Sequence, residues 1–323
     1  GPWARAARTM QRGKRMGTAA GSPAGAPPQL DLSIILPAYN EEAALGDDLD
    51  DIRRAMEATA YRYEIIVVDD GSRDHTAEIA RAREWVRLLQ HPFNRGNGAA
   101  RTTGVQAARG RVVMFTDADR TYPNERMPEM MAMMDAGADM VIGARKVEAG
   151  TLRFLRMPAK LLIRKLAEYM TGSRIPDLNS GLRAQDRQKT LRFLNILPTT
   201  HSWVSTITIA FLAAAFPVRY LPIDYYPRVG RSTFHPIRDS YNYLSLIVRT
   251  VMYFNPLKVF LPLSLALLLG GMLKYVALDI WLDGRLVWPV PPMRSMTLVL
   301  LFFGLQFLVV GLLADLIVKR TRL

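Results

Sequence analysis

Two long apolar stretches near the C-terminal end limit what this chain can fold into more than any other feature. Leu257 to Ile280 and Met296 to Val318 are overwhelmingly apolar. As a helix at about 1.5 Å per residue, the first would run roughly 36 Å, enough to cross a bilayer with some tilt. In hydrocarbon every backbone polar group must be paired within the segment, so helices are the expected form. Lys274 lies near the far end of the first stretch and can snorkel. Gln306 and Asp315 interrupt the second. Asp315 lies near its end, whereas Gln306 is deeper and can hydrogen-bond another helix. The joining loop, Trp281 to Arg294, carries the tryptophans and prolines that suit a headgroup layer. Arg249 and Lys258 precede the first stretch, and Lys319, Arg320 and Arg322 follow the second. By the positive-inside rule both termini and the preceding domain belong in the cytoplasm. A two-helix hairpin is too small to enclose a pore, so its expected role is to anchor the chain, alone or as a homo-oligomer.

Ahead of the hairpin, Pro236 to Phe254 spaces Tyr241, Leu244, Ile247, Val248 and Val251 among charged residues. That spacing predicts an amphipathic helix over residues 236–256, lying at the membrane interface or packed on the domain. At the other end, residues 1–30 hold Arg5, Arg8, Arg12, Lys14 and Arg15 with no acid, and read as a disordered basic arm. The remainder, residues 31–235, is long enough for one full domain.

That domain alternates strand-like and helix-like stretches. Leu32–Pro37, Glu64–Asp69, Val86–Leu89, Arg111–Phe115 and Ala138–Gly143 are short apolar runs, with helical segments between them. The pattern predicts an α/β fold with a doubly wound, mostly parallel sheet. The helix after Gly71 is expected to be capped by Ser72 or Asp74. The Met-rich segment Asn124–Asp135 is expected to be core.

Acids gather where the strands end: Glu41, then Asp69 and Asp70, then Asp117 and Asp119. Open α/β sheets bind ligands outside the carboxyl ends of their strands. Carboxylates accept hydrogen bonds from ribose hydroxyls and a base edge, but reach a diphosphate only through a cation. Asp117 and Asp119, on one side of an extended stretch, offer two hard oxygen ligands suited to Mg²⁺ or Mn²⁺ together with substrate phosphates. A nucleotide and a divalent metal are therefore expected together. A dinucleotide-dependent oxidoreductase fits less well. Gly96-Asn-Gly98 lies away from the first strand-to-helix turn, and Arg101 stands where the third glycine belongs.

The formal charge of +13 suits an anionic membrane surface or phosphorylated substrates. No zinc-finger spacing or RNA-binding aromatic signature is present, so nucleic acid is not expected as a partner. The absence of cysteine excludes disulfides and thiolate metal sites. His75, His91, His201 and His235 show no ligand spacing and read as incidental.

Pro37-Ala-Tyr-Asn-Glu41, Val68-Asp-Asp-Gly-Ser72 with Asp74 and Thr76, Asn94-Arg-Gly-Asn-Gly98 and Asp117-Ala-Asp119 stand in the order and spacing of the family 2 (GT-A fold) glycosyltransferases, which the region from Leu32 to about Arg145 resembles. The resemblance implies that Pro37, Ala38, Tyr39, Glu41, Asp69 and Asp70 hold the nucleotide of a sugar donor. It also implies that Asp117 contacts nucleotide or sugar and that Asp119, with Asp117, holds the metal. From Arg145 to Arg183 the chain has nine Lys/Arg against three acids. Gly143-Ala-Arg145, Asp177-Leu-Asn-Ser-Gly181 with Arg183, and Arg228-Val-Gly-Arg-Ser232 resemble the polyprenyl-phosphate subgroup, which includes dolichyl-phosphate mannose synthase and bacterial undecaprenyl-phosphate sugar transferases. This second resemblance implies lipid-phosphate contacts from Arg145, Arg228, Arg231 and Ser232, and a catalytic part for Asp177 beside Asp117 and Asp119. Arginine suits phosphate because its planar fork donates two hydrogen bonds at once.

Two positions depart from the subgroup. Thr121 stands where well-known members have a glutamine metal ligand, and Thr233 where relatives often have lysine. The implied reaction is inverting transfer of a sugar from a nucleotide diphosphate, UDP-hexose or GDP-mannose, to polyprenyl phosphate. Analogy with two-span bacterial relatives favours a uridine donor. A polysaccharide synthase with a hydroxyl acceptor would need a general base, and carries a Q-x-x-R-W motif absent here. A non-catalytic membrane scaffold is the third reading, and Thr121 is its main support.

Overall fold

The computed structural model describes residues 30–146, 165, 168, 169, 171–200, 202–228, 252, 255–280 and 294–321. The basic arm up to residue 29, Arg231, Ser232 and Thr233, most of the helix expected over 236–256, and the loop 281–293 lie outside the described residues.

Strands β1 (Leu32–Ala38), β2 (Tyr63–Asp69), β3 (Val86–Gln90), β4 (Val112–Phe115) and β5 (Met140–Arg145) fall on the apolar runs. Between them lie α1 (Leu45–Glu57), α2 (Thr76–Arg81), α3 (Asn97–Ala107) and α4 (Met127–Asp135). Then follow β6 (Arg183–Asp186), α5 (Arg187–Leu191), α6 (Trp203–Ala213) and β7 (Val218–Ile223). One seven-stranded sheet runs in the order β3-β2-β1-β4-β6-β5-β7. β6 is antiparallel to both neighbours, and the other pairings are parallel. The sheet is thus mostly parallel, as expected. The sequence reading placed no strand at β6 or β7.

Every residue of β1 is buried, because both faces of the sheet are covered. Ile34, Leu36, Ile65, Val67, Val112 and Met114 point to α1 and α4. Their alternates Ile35, Ile66, Val68, Val113 and Phe115 point to α3 and α6. The methionines of α4, Met127, Met130, Met131 and Met134, are core. The helix α6 is mostly apolar and buried along most of its length, with Trp203 packed edge-on against Phe115 at 5.1 Å.

Two further helices, α7 (Leu257–Lys274, continued as a wider turn through Ile280) and α8 (Ser295–Thr321), pack against each other. Their membrane-length portions are Leu257–Leu278 and Ser295–Val318, of 22 and 24 residues. Most of their surface is exposed apolar side chain, unlike a soluble core helix. Val259 packs on Ile175, Leu178 and Ile209, which joins the hairpin to the domain.

Candidate functional site

The mouth of the sheet is built from loops that stitch one another in place. Asn40 has φ 55°, and its N–H donates to Ser72 Oγ at 2.9 Å while its Oδ1 accepts from Arg73 N–H at 2.9 Å. Glu41 N–H donates to Thr76 Oγ1 at 2.9 Å. The helix α2 therefore begins at Thr76, with His75 at its cap position. Ser72 is occupied by the neighbouring loop, and Asp74 accepts from Thr76 N–H at 3.0 Å without being the cap. Gly71 has φ +76°, and a Cβ there would lie 2.7 Å from the Phe93 carbonyl carbon, so only glycine fits.

Pro37 and Ala38 are buried at the end of β1, and Tyr39 is half-buried beyond them. Asp69 accepts from Ser72 N–H at 3.0 Å and from Gln90 Nε2 at 3.2 Å. Asp70 is turned inward. Its Oδ1 faces His91 Nδ1 at 2.6 Å and accepts from Arg95 N–H at 2.9 Å, and its Oδ2 accepts from Gly96 N–H at 2.8 Å. His91 reaches on to Thr103 Oγ1 at 2.9 Å. His91 is thus not incidental. A carboxylate buried this deeply needs donors, and His91 and the loop before α3 supply them.

The strand β4 stops at Phe115, two residues before Asp117, so the two aspartates do not share an extended stretch as expected. A turn with Arg120 at φ 60° presents them instead. Three residues that the sequence did not single out hold this turn. Arg120 N–H and Asn124 Nδ2 donate to Asp48 at 3.0 and 2.9 Å, and Thr116 Oγ1 donates to Asn124 Oδ1 at 2.8 Å. Burial pushes the Asp48 carboxyl up to about 7.

Each aspartate has its Oδ1 hydrogen-bonded by the protein. Asp117 Oδ1 accepts from Arg101 Nη2 at 2.6 Å, and Arg101 is 2% exposed beneath it with its guanidinium over Phe115. Asp119 Oδ1 accepts from Thr121 Oγ1 at 2.5 Å and Thr121 N–H at 3.2 Å. Thr121, which looked like a gap in a metal shell, orients Asp119. On the outer side Arg228 bridges the acids, with Nη2 2.5 Å from Glu41 Oε1 and Nε 3.4 Å from Asp119 Oδ2. Burial, with Asp119 adding to it against the pull of Arg228, pushes Glu41 up to about 7. Burial and then the Asp117 charge raise Asp119.

These residues fit a hard divalent cation. Among the described residues Asp117 Oδ2 accepts no hydrogen bond, and Asp119 Oδ2 faces only Arg228. Two outward carboxylate oxygens are the donor set that Mg²⁺ or Mn²⁺ takes when substrate phosphates complete the shell. No group of three such ligands occurs among the described residues, so most of that shell would come from substrate and water.

Across the mouth, Arg145 Nε and Nη2 grip Asp177 Oδ2 and Oδ1 at 2.7 and 3.0 Å. Asp177 Oδ1 also accepts from Asn179 N–H at 3.0 Å. Burial opposes the charge of Asp177, but the Arg145 hydrogen bonds and charge outweigh it and hold the carboxyl below its usual range. Tyr122 and Tyr225 join the two sides. Their rings meet edge-on at 5.3 Å, Tyr225 lies under the Arg145 guanidinium, and Tyr122 Oη accepts from Gly181 N–H at 2.7 Å. Arg183 is fully buried and donates to Ser180 O at 2.5 and 3.0 Å, which fixes the loop that carries Asp177. The structure thus brings Glu41, Asp117, Asp119, Arg145, Asp177 and Arg228 to one mouth. Sequence reasoning missed Arg101, Asp48, Tyr122 and Tyr225. Only Arg101 carried a signal, as a charged residue inside a glycine-rich turn.

Two family models match the chain: "Glycosyl transferase family 2" over residues 33–192, and "GtrB C-terminal hairpin" over residues 255–319. A dolichyl-phosphate hexose transferase of Haloferax volcanii is 32% identical over 209 residues, covering 64% of this chain and 87% of that protein. An undecaprenyl-phosphate 4-deoxy-4-formamido-L-arabinose transferase of Pseudomonas savastanoi pv. phaseolicola is 30% identical over 296 residues, covering 88% and 84%. Among solved structures, glucosyl-3-phosphoglycerate synthase of Mycobacterium tuberculosis, in complex with Mn²⁺, UDP and phosphoglyceric acid, superposes with a TM-score of 0.54 at 21% identity, over 69% of this chain and 78% of that one. That likeness shows the fold.

Proposed function

The chain belongs to glycosyl transferase family 2, and on that premise we propose that it moves a hexose from a nucleotide-diphosphate donor, UDP-hexose or GDP-mannose, onto the phosphate of a polyprenyl lipid. The product is a polyprenyl-monophosphate sugar with an inverted anomeric centre. The observation that carries this reading is the divided mouth. Glu41, Asp117 and Asp119 line one side with Arg228 bridging two of them, Arg145 stands opposite in the grip of Asp177, and the first turn of an apolar hairpin packs on the loop between Ile175 and Leu178.

Glu41 and Asp69, with Pro37, Ala38 and Tyr39, hold the nucleoside, and Asp70 acts through the loop it braces. Mg²⁺ or Mn²⁺, held by Asp119 and Asp117, would neutralise the leaving diphosphate. Arg145 and Arg228 receive the acceptor phosphate, with Arg228 exchanging Glu41 and Asp119 for phosphate oxygens. An acceptor phosphate oxygen forms the new bond to the anomeric carbon while the bond to the diphosphate oxygen breaks, and the electron pair leaves with the nucleoside diphosphate. The attacking phosphate is already anionic, so the site works by positioning and charge neutralisation with little need for a general base. Asp177 keeps Arg145 aimed. As an integral membrane protein with its catalytic domain and both termini in the cytoplasm, the enzyme would meet donor in water and acceptor at the bilayer.

The test uses detergent-purified protein, short-chain polyprenyl phosphate, Mg²⁺ or Mn²⁺, and a panel of radiolabelled nucleotide sugars. Label should enter the organic phase only with metal, and Asp119→Ala should abolish it. A folded protein that labels no lipid from any donor, yet hydrolyses one, would have a different acceptor.

A further inference from the structure

Arg228 stands where a cation would bind. Thr121 holds Asp119 Oδ1, so Oδ2 is the oxygen that Asp119 can give to a metal, and that oxygen faces Arg228 Nε at 3.4 Å. The other end of the same guanidinium, Nη2, lies 2.5 Å from Glu41 Oε1. A hard divalent cation sits about 2 Å from its ligand oxygens. With Arg228 in place, two like charges would crowd one oxygen of a side chain that is only 8% exposed, where repulsion is weakly screened. The balance of charge leads to the same point. Glu41, Asp117 and Asp119 face Arg101 and Arg228, three carboxylates against two guanidiniums. A divalent cation added beside both arginines would leave the mouth positive.

The two arginines differ in their freedom to move. Arg101 is 2% exposed, donates to Asn97 Oδ1 at 2.7 Å and lies over the Phe115 ring, so it is fixed. Arg228 is the outermost of the group, with 35% of its side chain exposed against 13% for Glu41. Among the described residues its guanidinium meets only Glu41 and Asp119. Its backbone belongs to the segment that leaves β7, where Tyr226 N–H donates to Thr121 O at 3.0 Å. The segment is therefore tied to the turn that carries Asp119, while the long side chain can swing outward without disturbing the core. A phosphate offers the guanidinium the same paired oxygens as a carboxylate and is a suitable destination.

We propose that Arg228 keeps the metal position shut in the substrate-free enzyme, and opens it when a substrate phosphate draws the guanidinium away, so that metal and phosphate each tighten the other's binding. This rests on the acceptor reading, in which the phosphate is that of the polyprenyl lipid. One cation is exchanged for another at Asp119 Oδ2, and the displaced one is taken up by the incoming anion. Neither ligand gains its full binding energy without the other, and linkage makes the gain equal in both directions.

Mn²⁺ binding is measured on the full chain in detergent, without donor, from the loss of the sharp paramagnetic-resonance signal of free Mn²⁺. The parent should bind weakly. A short-chain prenyl phosphate should tighten Mn²⁺ binding about tenfold, whereas the matching prenol should not. Asp119→Ala, the blank, should lose the site. Arg228→Gln should bind Mn²⁺ about tenfold tighter than the parent with no lipid present, and prenyl phosphate should then add little. Lys146→Gln removes an equal charge from a side chain that pairs with Asp224, and should match the parent. An Arg228→Gln protein that binds Mn²⁺ no tighter than the parent would overturn the proposal. So would one in which prenyl phosphate still gives the full gain. If Arg228→Gln binds tighter but the parent ignores prenyl phosphate, the shut metal position is upheld and the acceptor reading falls.

Discussion

The two flanks of the mouth carry the same kinds of side chain under opposite electrostatic conditions. On one flank Glu41 and Asp119 share a single half-exposed arginine, Arg228, and burial with repulsion from neighbouring aspartates raises both carboxyls. On the other, Asp177 has a two-pronged grip from Arg145 and a backbone donor, and is held low. A carboxylate short of positive charge is suited to receive a cation. One that is saturated is suited to hold another side chain still. Residue type alone does not separate these roles, but the count of donors around each carboxylate does.

Breaking each flank should give different symptoms. Asp119→Asn should cut lipid-phase transfer by about 10²- to 10³-fold, the scale for removing a preorganised charge. It should leave the melting temperature unchanged or raised, because a buried repulsion is relieved. A large loss of stability would break the comparison. Asp177→Asn removes the countercharge of a mostly buried arginine and should cost about 3 kcal/mol, read as a lower melting temperature even without ligands. Thr121→Val leaves both aspartates in place but frees Asp119 to turn. The metal concentration for half-maximal activity should rise about tenfold, with little change at saturation.

The two flanks should also show a pH dependence of opposite sign. Asp48 rises from 3.8 to about 7 on folding, so the folded chain binds its proton more tightly. Stability should therefore fall as pH climbs through that window, by at most about 1.4 kcal/mol per pH unit from this group. Asp177, held low, contributes stability that is present above its usual value and is lost as pH falls through the lowered one. Denaturation midpoints across pH should flatten for Asp48→Asn between about 4 and 7, and for Asp177→Asn only on the acid side.

Much of this was legible in the sequence where a pattern repeats. The apolar runs ending in Asp69 and before Asp117 gave β2 and β4, and the two spans fell within a few residues of α7 and α8. The strand β6 was not legible because Arg183-Ala-Gln-Asp186 has no apolar signature. Pairing on both sides makes it a strand, and Arg183 is solvated by Ser180 O, Val204 O and Thr208 Oγ1. The carboxylates were legible, but their partners were not. Arg101 is 16 residues from Asp117, His91 is 21 from Asp70 and Asn124 is 76 from Asp48, and only the folded chain brings them together. Thr121 shows a limit of resemblance, since a position lacking the expected ligand was filled by a different task.

The reversed direction of β6 has a consequence for how this scaffold can vary. A parallel strand would begin at the far edge of the sheet, whereas β6 begins at the mouth, where β5 ends. The chain that leaves after Arg145 and returns at Asp177 therefore starts and finishes at one place, and the ion pair between those residues, 32 positions apart, closes it like a clasp. Lengthening the chain between them costs only slowly growing loop entropy and moves no strand. The clasp thus keeps both ends of the segment, and the chemistry beside them, at the mouth whatever the length of chain between.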